Sequence, residues 1–122
     1  MIKGIHHISV VVSDTAKARA FYRDILELNE VPRNPMIPFP GAWFEIGERH
    51  LHILEVPNQD PTDRVGPGVE DRHIALVVDS IHYLMEHLDG CDWPYVFRDK
   101  SNAVFVRDPD GNAIEFVQSD WK

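Results

Sequence analysis

Three histidines and one glutamate stand at matched places in the two halves of this chain. His7 opens the run His-Ile-Ser-Val-Val-Val, and His73 opens the similar run His-Ile-Ala-Leu-Val-Val. Later in each half, His52 lies between Leu51 and Ile53, and Glu115 lies between Ile114 and Phe116. His7 and His73 are 66 residues apart, and His52 and Glu115 are 63 apart. A duplicated fold would gather such positions around a pseudo-two-fold axis. Imidazole nitrogens with one carboxylate suit Zn, Ni, Co, Fe or Mn better than Mg or Ca, which favour all-oxygen shells. A divalent ion held this way with open positions acts as a Lewis acid on adjacent substrate oxygens. It would polarise a carbonyl, acidify the neighbouring C–H and stabilise the enediolate. Glu115 released from the ion, His52 or Glu45 are the candidate bases. His6, His50, His82 and His87 lie off the matched positions.

These donors need strands to aim them. Side chains alternate across a strand, so Ile8, Val10 and Val12 share one face and His7, Ser9 and Val11 the other. Ile74, Leu76 and Val78 match the first set, and His73, Ala75 and Val77 the second. The apolar set packs under helices and the histidine set faces a concave surface. His52 and Glu115 likewise point away from the apolar face of their strands. A lone carboxylate among bulky apolar neighbours costs several kcal/mol to bury, by rough estimate, and metal coordination offsets that cost.

The remaining pattern supplies the scaffold. Ser13-Asp14 offers a helix N-cap, and Thr15 to about Leu28 reads as a helix with Phe21, Ile25 and Leu28 on one stripe. Phe21 and Tyr22 are expected to pack that helix on its sheet. The stretch Val31 to Gly41 holds four prolines and reads as a loop or edge segment, with Pro35 to Gly41 lying over the site. Strands follow at Ala42 to Ile46 and His50 to Val56. Pro57 to Val69 is a linker rich in Pro and Gly. The second half repeats the plan: a strand at Arg72 to Val78, a helix capped by Asp79 or Ser80 and ending near Gly90, then strands at Tyr95 to Phe97, Asn102 to Arg107 and Ala113 to Gln118. Asp108-Pro109-Asp110-Gly111-Asn112 is the last turn. The expected fold is α+β. Two tandem β-α-β-β-β modules, about 1–60 and 70–122, form one domain with curved mixed sheets around the metal site. Trp43, Phe39, Phe97 and Phe105 are candidate pocket walls, and Arg107 reads as a solvated residue beside a turn.

The chain of 122 residues is enough for one domain. A net charge of −8, with no run of Lys or Arg, argues against general nucleic-acid or anionic-membrane binding. Cys91 is the only cysteine, so no intrachain disulfide forms, which fits a cytoplasmic location. No signal peptide or membrane-spanning run is seen.

The run from His7 to Asp14, the pair Phe21-Tyr22 and the segment Asp108-Pro109-Asp110-Gly111-Asn112-Ala113-Ile114-Glu115-Phe116 resemble the vicinal oxygen chelate superfamily. That group includes glyoxalase I, methylmalonyl-CoA epimerase, fosfomycin-resistance transferases, extradiol dioxygenases and bleomycin-resistance proteins. The resemblance covers nearly the whole chain. It implies His7, His73 and Glu115 as metal ligands, with His52 at a position that varies among members. Glyoxalase I has a glutamate there, so His52 departs from it. The resemblance also implies a homodimer acting on a small-molecule substrate. The expected function is a glyoxalase-like lyase or isomerase. The alternatives are an Fe(II) ring-cleaving dioxygenase and a non-catalytic small-molecule binding protein of the bleomycin-resistance kind.

Overall fold

The computed structural model describes residues 1–118. The chain divides into two compact units, Met1–Pro61 and a second that begins at Thr62. The first unit runs β1 (His7–Val12), α1 (Thr15–Arg19) with a π-helical continuation (Ala20–Ile25), β2 (Glu30–Val31), β3 (Gly41–Ile46) and β4 (Arg49–Glu55). The second runs β5 (His73–Val78), α2 (Ile81–Gly90), β6 (Val96–Arg98), β7 (Ala103–Arg107) and β8 (Ala113–Gln118). The expected β-α-β-β-β plan therefore occurs twice. The sheet orders are β1-β4-β3-β2 and β5-β8-β7-β6. In each sheet the first strand lies parallel to the last, and the other pairings are antiparallel. A parallel pair needs a crossover, which the helix in each unit supplies. Both sheets are open and mixed, and the fold is α+β.

Alternation sets what each sheet buries. In β1, Val10 and Val12 are buried while His7 and Ser9 are exposed. In β4, Leu51 and Ile53 are buried on either side of His52. In β8, Ile114 and Phe116 are buried on either side of Glu115. Ala18, Phe21 and Tyr22 are buried from the first helical segment, and Ile81 and Leu88 from α2. Each large apolar side chain so buried contributes roughly 1.5–3 kcal/mol. Asp14 caps α1 by accepting from the Lys17 N–H at 3.1 Å, and Ser80 caps α2 by accepting from the Tyr83 N–H at 3.1 Å.

One local feature departs from the sequence pattern. The first helix stops at Ile25, short of Leu28, and widens to π geometry from Ala20. Phe21 and Tyr22 are adjacent, yet both are almost wholly buried, and the wider turn lets both face inward. Glu27, at φ 60°, then ends the segment. At the start of the proline-rich stretch, Glu30–Val31 pairs with β3 as a short edge strand, in line with the expected loop or edge segment, with Val31 opposite Trp43. α2 ends at Gly90 as expected, and the left-handed residue beyond it is Asp92, at φ 54°. Among the described residues, no helix is long and apolar enough to cross a membrane.

Candidate metal centre

The hairpin registers carry the site. In the first unit, Ser9, His52, Trp43 and Val31 lie side by side across the sheet. In the second, Ala75, Glu115, Phe105 and Val96 do the same. His7 sits two residues before Ser9 and His73 two before Ala75, so each is a diagonal neighbour of its unit's second donor. The duplication seen in the sequence is thus a duplication of register, with an aromatic residue beside each inner donor.

In the first unit, His52 is the centre of a ring stack. Its imidazole lies parallel to the Trp43 indole, with centroids 4.1 Å apart and planes 6° apart. The His7 ring stacks at 4.1 Å and 21°. His50, two residues before His52 on the same strand, stands 5.8 Å from both Trp43 and His52. The Nε2 atom of His52 is buried and has no hydrogen-bond partner. Burial, and then the neighbouring His7, His50 and His6, push the His52 pKa down from 6.5 to about 4. At neutral pH the ring is therefore uncharged, with a nitrogen lone pair available. His6 precedes β1. It is exposed, with its Nδ1 2.9 Å from the Nδ1 of His7.

In the second unit, His73 Nε2 lies 3.1 Å from Glu115 Oε1. His73 Nδ1 is 2.8 Å from the backbone oxygen of Asp71. A carbonyl only accepts, so Nδ1 donates there, and Nε2 is the atom turned toward Glu115. Phe105 meets the His73 ring edge-on, with centroids 5.5 Å apart. It also helps line a hollow of about 460 Å³ with Trp93, Tyr95 and Val96.

The expected donors therefore come together as two pairs, His7 with His52 and His73 with Glu115. Among the described residues, no group of three or more His, Cys, Asp or Glu side chains stands ready to hold a metal ion. The donor chemistry of each pair fits a first-row divalent ion, and the unpartnered His52 Nε2 is what a ligand position looks like before coordination.

Other expected residues have different roles. Arg107 is not solvated. Its side chain is mostly buried, and its guanidinium donates to the carbonyls of Gly66, Gly111 and Val65 and to Asp71. Glu45 lies opposite His50 and accepts from Asn29 Nδ2 at 3.2 Å. Phe39 lies near the Arg33 guanidinium, which donates to its carbonyl. Phe97 is half exposed. His82 pairs with Glu86 on the outside of α2. The structure adds Asp71, which sequence reading missed. Its signal was its place two residues before His73, between the linker that ends at Val69 and the strand that begins at Arg72.

A family model described as the Glyoxalase/Bleomycin resistance protein/Dioxygenase superfamily matches residues 4–116. A probable lactoylglutathione lyase from Synechocystis sp. is 31% identical, over 95% of this chain and 95% of its own. A metallothiol transferase, FosB, from Staphylococcus haemolyticus is 33% identical, over 94% of this chain and 83% of its own. The crystal structure of a glyoxalase family protein from Bacillus anthracis superposes with a TM-score of 0.82 at 27% identity, covering 97% of this chain and 96% of that one. With strand order, register and donor positions all repeated, the chain belongs to the Glyoxalase/Bleomycin resistance protein/Dioxygenase superfamily.

Proposed function

We propose that this chain is a metal-dependent enzyme of the glyoxalase type. It acts as a lyase or isomerase, moving a proton on a small substrate that carries adjacent oxygens. The observation that carries this reading is His52, whose buried, unpartnered Nε2 is held neutral beside His7. We assign His7, His52, His73 and Glu115 as ligands of one divalent transition metal, Zn, Ni, Co, Fe or Mn. Each unit offers two donors, and such an ion takes about four or more. A full shell therefore draws on both pairs, from one chain or from two copies. The lyase and metallothiol transferase relatives support a metal-assisted reaction.

When bound, the ion supplies Lewis-acid polarisation of a substrate carbonyl. The chain's own groups do the rest. Trp43 covers one face of His52 and keeps water from it. Phe105 packs against the His73 ring and helps hold it in place. Once released from the ion, His52 or Glu115 would take the proton from the acidified carbon and return it. The base must lie within hydrogen-bond reach of that carbon's proton for this to be efficient.

Elemental analysis of the purified protein tests the assignment. We expect about one first-row ion per chain at saturation, as a single site requires. A variant carrying His7→Ala and Glu115→Ala should lose it. Retention of the ion by that variant overturns the ligand assignment. Deuterium uptake from solvent at the carbon beside a substrate carbonyl tests the reaction class, and its absence across 2-oxoaldehyde adducts would count against proton transfer.

A further inference from the structure

We infer that Asp71, locked by Arg64 and Arg107, is a positioning residue that fixes which nitrogen His73 presents to Glu115 and to a metal. The inference rests on the metal reading above for its consequence, and on the second unit's geometry alone for its origin.

The peptide linking Asp71 to Arg72 is the critical group. Its carbonyl receives the His73 Nδ1–H at 2.8 Å. Its N–H, on Arg72, donates to the Asp71 carboxylate Oδ1 at 2.8 Å. A trans peptide is planar, with C=O and N–H on opposite sides. Holding the N–H therefore aims the carbonyl. The carboxylate that holds it is in turn fixed by two arginines. Arg64 Nη1 lies 3.0 Å from both of its oxygens, and Arg107 Nη1 lies 2.9 Å from Oδ2. Arg107 holds the Asp71 carboxyl below the ordinary carboxylate range, ahead of the opposing effect of burial. The Asp71 N–H donates to the Gly68 carbonyl at 3.1 Å, so the segment is pinned on both sides of the residue.

The arginines are themselves anchored. Arg107 also donates to Gly66 and Gly111, at 3.1 and 2.7 Å, which ties the linker to the Asp108–Asn112 turn. Arg64 is mostly buried, with its Nε lacking a partner, so Asp71 is the group that makes its charge tolerable there. The linker closes tightly on the sheet. A methyl added at Gly68 would stand 2.7 Å from the Ala113 side chain. A bare salt bridge would not need this arrangement. The chain of contacts ends on a ring nitrogen of a proposed ligand, and it determines that Nδ1 is spent on the backbone while Nε2 remains for coordination. Partners of this kind are worth about 10–100-fold in metal affinity.

The test uses the full chain with 15N-labelled histidine. In the metal-free wild type, His73 should show a slowly exchanging Nδ1–H. In Asp71→Ala that signal should be lost or exchange-broadened, and zinc affinity measured by calorimetry should fall about 10–100-fold. Asn112→Ala serves as the control. It weakens the neighbouring turn by removing the bond to Asp108 and should leave the His73 signal in place even where the melting temperature falls. Should Asp71→Ala fail to fold, Asp71→Asn keeps an oxygen for the Arg72 N–H but loses the charge. It is expected to give an intermediate signal and affinity. A wild-type His73 signal in either Asp71 variant overturns the inference, as does a loss of that signal equally in Asn112→Ala. If wild-type protein takes up none of Zn, Ni, Co, Fe or Mn, the functional reading falls while the Nδ1–H signal still decides this one.

Discussion

At the scale of single residues, His52 has the most consequence for solution behaviour. The folded protein keeps it neutral down to about pH 4, whereas an ordinary histidine takes its proton near 6.5. Between those values the unfolded chain binds a proton that the folded chain does not. Stability of the metal-free protein should therefore rise with pH across this window and be lost on acidification through it. Urea midpoints at several pH values check this. Replacing His52 by Gln should flatten the dependence between pH 4 and 6.5. Trp43→Ala acts in the same direction by admitting water to the ring, and NMR titration should show the His52 pKa moving up toward its ordinary value. An unchanged pKa in that variant would mean that the indole contributes nothing to the desolvation.

At the scale of elements, packing at strand ends decides how much substitution is tolerated. Gly41 begins β3, and a Cβ built there would stand 2.1 Å from the Ile53 carbonyl oxygen in β4. That neighbour is backbone inside a ladder and cannot swing away. Gly41→Ala should therefore cost about 1–3 kcal/mol, the usual range for overpacking, read as a lower denaturation midpoint. Much of this level was legible in the sequence. Alternation around His7, His52, His73 and Glu115 identified the outward face of each strand, because a period of two leaves little choice once apolar neighbours are known. The Asp-Pro-Asp-Gly-Asn turn was equally plain. Its buried Asp108 accepts from the backbone of Asp110 and Asn112, and Gly111 supplies the positive φ. The inward packing of Phe21 and Tyr22 was expected, but the π-helical turn was not legible, because apolar periodicity does not distinguish an α turn from a π turn. Arg107 was misread because the acceptors that bury it come from the linker at Val65 and Gly66 as well as from its own turn. The role of Asp71 was hidden for the same reason, since it depends on Arg107 reaching back 36 residues.

At the scale of the whole molecule, the net charge of −8 favours cations over polyanions as partners. We propose that the protein works as a homodimer, for a chain of 122 residues buries a limited share of its own surface. Sedimentation equilibrium should give twice the chain mass, and a monomer at every concentration would refute it. Trp43, lying flat against His52, also makes the molecule its own gauge of what it has loaded. An ion with a partly filled d shell, seated on that imidazole, should drain the excited indole and dim its fluorescence. Zinc, whose shell is full, should leave the emission bright, and Trp43→Phe should erase the difference. Light leaving the protein would then tell one cargo from another before any substrate is known.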